Sequence, residues 1–237
     1  MPTPAEDRFR ALARSSPWRF RTLHLTRTDA RGDVVEAWLD RPGHLRVRTG
    51  DGRTEVVRGL PYALSAVRPD GTVAVPWRPR LPGDVAVELD EDGLVVDRPP
   101  RADLDADDPM WRDYTWVAML DPVELATGTS VHELAHTTRH GRETWWARMS
   151  AEAGYDPRCS CCPLLWGEVS ERLETEAGAA PGRLDGWGGF PESWLVGLDV
   201  GTGVVVSLRP LGGDRDDLGF EVTLHEVDAP VGARASS

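Results

Sequence analysis

The first quarter of the chain alternates short runs of β-forming residues with turn-forming residues, at intervals of about ten positions. The four runs are Trp18–Arg27, Val34–Leu39, His44–Thr49 and Arg53–Arg58. In the third run, apolar and arginine side chains alternate, as in a strand with one buried and one solvated face. The runs lie too close together for the crossover connections of parallel strands, so the pattern predicts an antiparallel meander.

Later segments add helices and further strands to this sheet. A capping box at Thr3–Glu6 predicts a helix that ends at Arg14, and helical spacing predicts others over 108–118 and 166–177. The further predicted strands are Arg142–Ala151, Trp194–Val200, Val204–Leu211 and Phe220–Leu224. The predicted fold class is α+β, with a dominant antiparallel sheet that is covered on one face by helices.

Composition excludes several classes of function. The chain has 39 acidic and 27 basic residues and a formal net charge of −12, which argues against nucleic acid as a partner. It contains no lysine, isoleucine, asparagine or glutamine, so Schiff-base chemistry and a phosphate-binding loop lysine are excluded. There is no G-x-S-x-G nucleophile elbow and no dinucleotide-binding glycine pattern.

The sequence also gives an expectation for the compartment. The N-terminal residues lack the basic and apolar regions of a secretory signal, and no window approaches eighteen apolar residues. The three cysteines are odd in number and lie within four positions, so they cannot form a disulfide framework. We therefore expect a cytoplasmic protein without a membrane span.

The order of elements and several short motifs resemble one known group of proteins. Two motifs resemble those of the LolA/RseB-like lipoprotein carriers and sigma-factor regulators. Gly141–Trp145 resembles the Gly-Arg start of a strand in that group, and Leu198–Val206 resembles its Asp-x-x-Thr-Gly hairpin. The stretches Trp116–Ala126 and Tyr155–Pro163 are similar to those of uncharacterised actinobacterial relatives. The shared order of elements is an N-terminal helix, a series of antiparallel strands, a pair of helices and a final set of strands.

This resemblance implies an antiparallel half-barrel-like sheet wrapped over central helices. It implies a single domain over residues 1–230, followed by a loose tail over 231–237. Members of the group typically hold a lipid-like ligand between sheet and helices and carry a secretion signal, which this chain lacks. Fold analogy alone does not establish the function.

The motif His132-Glu-Leu-Ala-His136 matches the H-E-x-x-H pattern of zinc hydrolases. On a helix, His132 and His136 would share a Zn²⁺ while Glu133 activates its water. On a strand, four residues would separate the two imidazoles by about 13 Å. The threonines that follow favour a strand, and we expect residues 130–140 to be one.

Cys159, Cys161 and Cys162 place three thiols within four residues. Zinc sites usually need four ligands, so a fourth ligand would have to come from elsewhere in the chain. The cluster therefore indicates one of three roles. It is a metal site with zinc as the candidate ion, a redox site, or a loop anchored by small buried side chains. These three interpretations stay open at the level of sequence.

Trp111, Trp116, Trp145 and Trp194 are predicted to lie in the core and to line a cavity between helices and sheet. We expect a binding protein without catalytic activity, which takes an apolar small molecule or the hydrophobic segment of a protein partner. The alternatives are a zinc-dependent hydrolase that uses His132, Glu133 and His136, and a protein with a metal site at the cysteine cluster.

Overall fold

The computed structural model describes residues 3–58, 85–100, 107–176, 178, 189–215 and 217–229. The helices are Glu6–Arg19 (α1), Thr115–Leu120 (α2) and Glu168–Glu176 (α3), and a 3₁₀ turn covers Val123–Leu125. The strands are Thr22–Asp29 (β1), Val34–Asp40 (β2), His44–Thr49 (β3), Thr54–Arg58 (β4), Thr129–Arg139 (β5), Arg142–Ala151 (β6), Ser193–Asp199 (β7), Val205–Leu211 (β8) and Phe220–Val227 (β9). Within these ranges, no helix is both long and apolar enough to span a membrane.

All of these strands belong to one antiparallel sheet in the order β4-β3-β2-β1-β9-β8-β7-β6-β5. The pairing of β1 with β9, in which Leu25 lies opposite Leu224, joins the first and last strands of the chain. Strands β4 and β5 are the two edges, so the sheet is open. The predicted α+β class, with a half-barrel wrapped over central helices, is therefore wrong: the described chain is mostly open sheet with few helices.

The central helix is shorter than predicted, which is one reason for this correction. Only Thr115–Leu120 forms the helix, so Trp116 lies on α2 but Trp111 lies before it. Arg112 has a φ of 67°, a left-handed conformation that a regular helix cannot contain. The residues from Asp108 to Tyr114, which were predicted to form the first turns of the helix, therefore form an irregular segment that precedes it.

Helix α1 is longer than predicted and continues to Arg19. Pro17 lies inside it and lacks the N–H that would continue the hydrogen-bond pattern, which is why the sequence favours an earlier end. Tertiary contacts hold the last turn in place, because the Ser16 hydroxyl donates to the carbonyl of Leu120 at 2.5 Å. As a consequence, β1 begins at Thr22 and not at Trp18.

Alternation along the strands gives the sheet two different faces. Residues Leu25, Leu45, Val196 and Leu224 are buried on one face, which we call the inner face. In β3 the neighbouring arginines are exposed on the other face, as the sequence predicts. Helices α1 and α2 contribute their buried side chains to the same core as the inner face.

The two motifs of the sequence resemblance meet in the structure. Arg142 at the start of β6 donates from Nε and Nη2 to the two carboxylate oxygens of Asp199, at 2.7 and 2.9 Å. Asp199 also accepts from the backbone N–H and the hydroxyl of Thr202 in the β7–β8 turn. Gly203 follows with a φ of +75°, and a Cβ there would lie 2.8 Å from the carbonyl of Leu12.

Some predicted features lie outside the described residues. These are the proline-rich passage over 69–82, most of the glycine- and tryptophan-rich loop over 182–190, and the tail over 231–237. The single domain over 1–230 stays a prediction.

Candidate ligand-binding cavity

A cavity of about 370 Å³ lies between the inner face of the sheet and the segments 111–116 and 161–171. Its lining includes three predicted tryptophans and two predicted thiols: Trp111, Trp116, Trp194, Cys161 and Cys162. Trp145 is not in this lining; it lies on β6 opposite His136 of the edge strand β5. The structure therefore brings together two sets of residues that the sequence singled out separately.

Buried indole rings form the apolar wall of the cavity. Trp111 and Trp116 pack edge to face, with ring centroids 5.2 Å apart. The Trp111 Nε1 donates to a carboxylate oxygen of Glu55 at 3.0 Å, and the Trp194 Nε1 donates to the carbonyl of Trp166 at 3.1 Å. Because these two N–H groups are bonded to protein atoms, the Trp111 and Trp194 rings offer the cavity mainly apolar surface.

Arg27 adds a positive charge to this wall. It lies on β1 opposite Val222 and two residues beyond the buried Leu25, which is an inner-face position. Its guanidinium carbon lies 5.3 Å from the centroid of the Trp116 ring and 4.6 Å from that of Phe220. Its Nε is buried and has no hydrogen-bond partner among the residues that the structure describes.

The charge of Arg27 is only partly compensated by its surroundings. Burial lowers the pKa of Arg27 from its ordinary value, while attraction to Asp113 and Asp29 acts in the opposite direction. An arginine side chain nevertheless stays protonated near neutral pH. A buried N–H without a partner carries a free-energy cost of about 1–3 kcal/mol, which a hydrogen-bond acceptor in the cavity would remove.

Glu171 gives the same cavity an unused acceptor. It is 5% exposed, and its Oε1 accepts from the Trp166 Nε1 at 2.6 Å. Its Oε2 is buried without a hydrogen-bond partner in the described part of the chain. The residues that line the cavity thus include indole rings together with Arg27 and Glu171, each of which has one buried polar atom without a partner in the described part of the chain.

The charges at the rim of the cavity are already engaged. Asp29 Oδ1 accepts from the backbone N–H groups of Arg31 and Asp33, both at 2.9 Å. Arg31 Nη2 donates to Asp217 at 2.9 Å. These contacts are largely exposed, so they contribute little to stability. The unpaired polar atoms therefore belong to Arg27 and Glu171 and not to these rim residues.

The three thiols lie close together beside this cavity. The Sγ atoms of Cys159, Cys161 and Cys162 all lie within 4.8 Å of one another. Hydrogen bonding to Cys159 raises the pKa of Cys161, and burial raises the pKa of Cys162. Both therefore stay protonated at neutral pH when no metal is bound. The cluster could hold a metal ion, and no other such group of ligands occurs in the described ranges.

The loop that carries the thiols is tied to a buried carboxylate. Glu124, in the 3₁₀ turn, accepts hydrogen bonds from the Tyr155 hydroxyl and from the backbone N–H groups of Arg158 and Leu164. Burial raises the pKa of Glu124. These three bonds fix the two ends of the segment that holds the cysteines.

The His-Glu-x-x-His motif lies on strand β5, as expected, and its histidines are not brought together. A bulge between Val131 and Glu133 shifts the register, so that His132 bonds Ser150 on one side of the sheet at 2.8 Å. His136 lies opposite Trp145, on the other side. Glu133 is exposed and pairs with Arg148 at 3.5 Å.

A second cavity, of about 400 Å³, has different chemistry. Its three arginines already have partners: Arg14 donates to the carbonyls of Val95 and Val96, and Arg98 and Arg158 both donate to Asp121. No unpaired buried donor faces this cavity among the described residues. We therefore take the tryptophan-lined cavity as the candidate site.

The sequence did not identify Arg27 or Glu171 as site residues. The signal for Arg27 was its place in the alternation, two residues after Leu25 in a half-buried strand, where a charged side chain has to point inward. For Glu171 the helical pattern gave no comparable signal, because its burial depends on the contact with Trp166.

Comparison with known proteins adds no relative. No family model, no curated protein and no solved structure matches this chain. The resemblance to the LolA/RseB-like group stays a prediction, and the function proposed below depends on the residues of the cavity.

Proposed function

We propose that this protein binds a small aromatic molecule that carries a hydrogen-bond-accepting polar group. The ring would lie against Trp111 and Trp116, and the polar group would accept from Arg27 Nε. The observation that carries the proposal is Arg27, a residue of the tryptophan-lined cavity whose buried Nε has no hydrogen-bond partner among the described residues. The sequence analysis predicts an apolar ligand, and this proposal further requires that the ligand carry one polar group.

The size of the cavity supports a small molecule over a protein segment. At about 370 Å³, it lies in the lower part of the range of small-molecule sites, which is about 300–1,000 Å³. Aromatic rings suit the wall, because edge-to-face and offset contacts with indoles add to the burial of apolar surface.

The polar groups support binding as the role of the site. Arg27 keeps its proton at ordinary pH, so it can orient a ligand and does not transfer a proton. The free Oε2 of Glu171 favours a ligand that also carries an N–H or O–H group. We also propose that the protein is cytoplasmic, because a reducing compartment suits three unpaired thiols.

The proposal is tested with two fluorescent probes of the same aromatic skeleton. 8-Anilinonaphthalene-1-sulfonate has a sulfonate acceptor, and N-phenyl-1-naphthylamine lacks it. A hydrogen bond to a charged group contributes about 1.5–3 kcal/mol, so the Arg27→Met variant should bind the sulfonate probe about tenfold to a hundredfold more weakly. Binding of the neutral probe should change by less than about twofold.

Arg209→Met is the matched control, because Arg209 is exposed on β8. It should leave the affinity for both probes unchanged, which separates the effect of Arg27 from a general loss of positive charge. Equal weakening of both probes in Arg27→Met, or no weakening of either probe, would show that Arg27 does not contact the ligand.

A further inference from the structure

We propose that Cys159, Cys161 and Cys162 form a three-thiolate site for a single soft cation, and that Cu⁺ is the ion that fits it. This site adjoins the cavity of the proposed aromatic ligand, but metal binding does not depend on that function.

The spacing of the sulfur atoms fits a trigonal site. An ion at the centre of three sulfurs, with bonds of about 2.3 Å, places the sulfurs about 4 Å apart. The Sγ atoms of Cys159 and Cys161 are 2.8 Å apart, and those of Cys161 and Cys162 are 3.6 Å apart. To accept the ion, the sulfurs of Cys159 and Cys161 need to separate by about 1 Å, and those of Cys161 and Cys162 by about 0.4 Å.

The loop is held in a form that keeps these sulfurs together. The backbone N–H of Cys162 donates to the carbonyl of Cys159 at 3.3 Å, which closes a tight turn around the cluster. The hydroxyl of Ser160 donates to Glu174 on α3, and buried Glu124 fixes the flanking residues. Outer contacts of this kind orient the ligands of metal sites.

The ligand set favours a soft monovalent ion over zinc. Within the described residues, no imidazole or carboxylate joins the three thiols to form a fourth ligand, and structural zinc sites are four-coordinate. Thiolate ligands suit both Cu⁺ and Zn²⁺, so the number of ligands decides between these two ions, whereas Ca²⁺ and Mg²⁺ require oxygen ligands.

Binding exchanges protons for the ion without any redox change. Each of the three thiols releases its proton to solvent, three Cu–S bonds form, and copper stays in the +1 state throughout. The three neutral thiols and one Cu⁺ become a site with a net charge of −2. Two of the three cysteines line the tryptophan cavity, so an ion there should quench tryptophan emission.

The test is an anaerobic titration of the full chain with Cu⁺ against a competing Cu⁺ chelator. We expect one copper per chain, protection of all three thiols from alkylation, and quenched tryptophan fluorescence. The chain has three cysteines in all, so the count of protected thiols is unambiguous. Each of Cys159→Ser, Cys161→Ser and Cys162→Ser should weaken binding by more than about 100-fold, the upper limit for loss of an outer contact.

Ser160→Ala is the comparison variant, since it keeps all three thiols and removes only the outer contact to Glu174; it should weaken binding by about tenfold to a hundredfold, which is less than the effect of any cysteine variant. Circular dichroism verifies that each variant is folded. Full affinity in any one of the cysteine variants would overturn the three-thiolate site. Preferential binding of Zn²⁺ from an equimolar mixture of Zn²⁺ and Cu⁺ would also overturn it. A Cys159–Cys161 disulfide in the protein purified under reducing conditions would do the same.

Discussion

The stability of the protein should depend strongly on one buried arginine, which is paired, and hardly at all on another, whose Nε is not. Arg158 has a side chain that is 3% exposed, and it pairs with both Asp107 and Asp121. Arg27 lines the cavity with a buried Nε that has no partner among the described residues. Methionine at either position keeps most of the side-chain volume and removes the charge.

For Arg158→Met we expect a loss of about 3 kcal/mol in the free energy of unfolding. Removing one member of a buried ion pair typically costs about 3–5 kcal/mol, because the other charge is left uncompensated. The lower value applies because Arg98 still donates to both oxygens of Asp121 at 2.6 Å. Asp107 is the carboxylate that loses its ion pair with Arg158.

For Arg27→Met we expect the free energy of unfolding to change by less than about 1 kcal/mol. Removing the unpaired N–H gains about 1–3 kcal/mol. Losing the contacts of the guanidinium with the Trp116 and Phe220 rings costs about 0.5–1 kcal/mol each. The gain and the loss are similar in size, so they nearly cancel.

The assay is thermal and urea unfolding followed by circular dichroism at pH 7. The difference of about 3 kcal/mol corresponds to about 6–12 °C in Tm for a chain of this size. If Arg27→Met lost as much stability as Arg158→Met, Arg27 would be a structural residue, and the reasoning that it is retained for a ligand would be refuted.

Two more predictions concern protonation and the histidine motif. Burial raises the pKa of Asp107 from 3.8 to about 6, so the folded protein keeps this proton where the unfolded chain has lost it. Asp107 should therefore lower stability by up to about 3 kcal/mol as the pH rises from about 4 to 6; a difference between the urea midpoints of wild type and Asp107→Asn that stays constant with pH would contradict this. His132→Ala should leave zinc uptake per chain unchanged, because His132 and His136 lie on opposite faces of β5; loss of a bound zinc in this variant would contradict the structure.

The sequence predicted the strands better than it predicted their assembly. Turn residues and alternation identified β2, β3 and β6 nearly to the residue, because these signals are local. The pairing of β1 with β9 joins residues about two hundred positions apart, and no local pattern specifies it. The length of α1 depends on the contact between Ser16 and Leu120, which outweighs the effect of Pro17.

The same distinction holds for the site. The cysteine cluster is contiguous in the sequence and could be recognised there, and the tryptophans were named because large aromatic residues favour cores and cavities. Arg27 and Glu171 became site residues only through burial against Trp116 and Trp166, which the tertiary structure determines. The bulge at His132 likewise separates two histidines that the spacing alone would place on one face of a regular strand.

The most direct measurement of the central claim is a crystal structure of the protein with 8-anilinonaphthalene-1-sulfonate. The account predicts a sulfonate oxygen within about 3.2 Å of Arg27 Nε and the naphthalene ring against Trp111 and Trp116. A probe bound elsewhere, or an Arg27 Nε that bonds to a protein group in the complex, would contradict it.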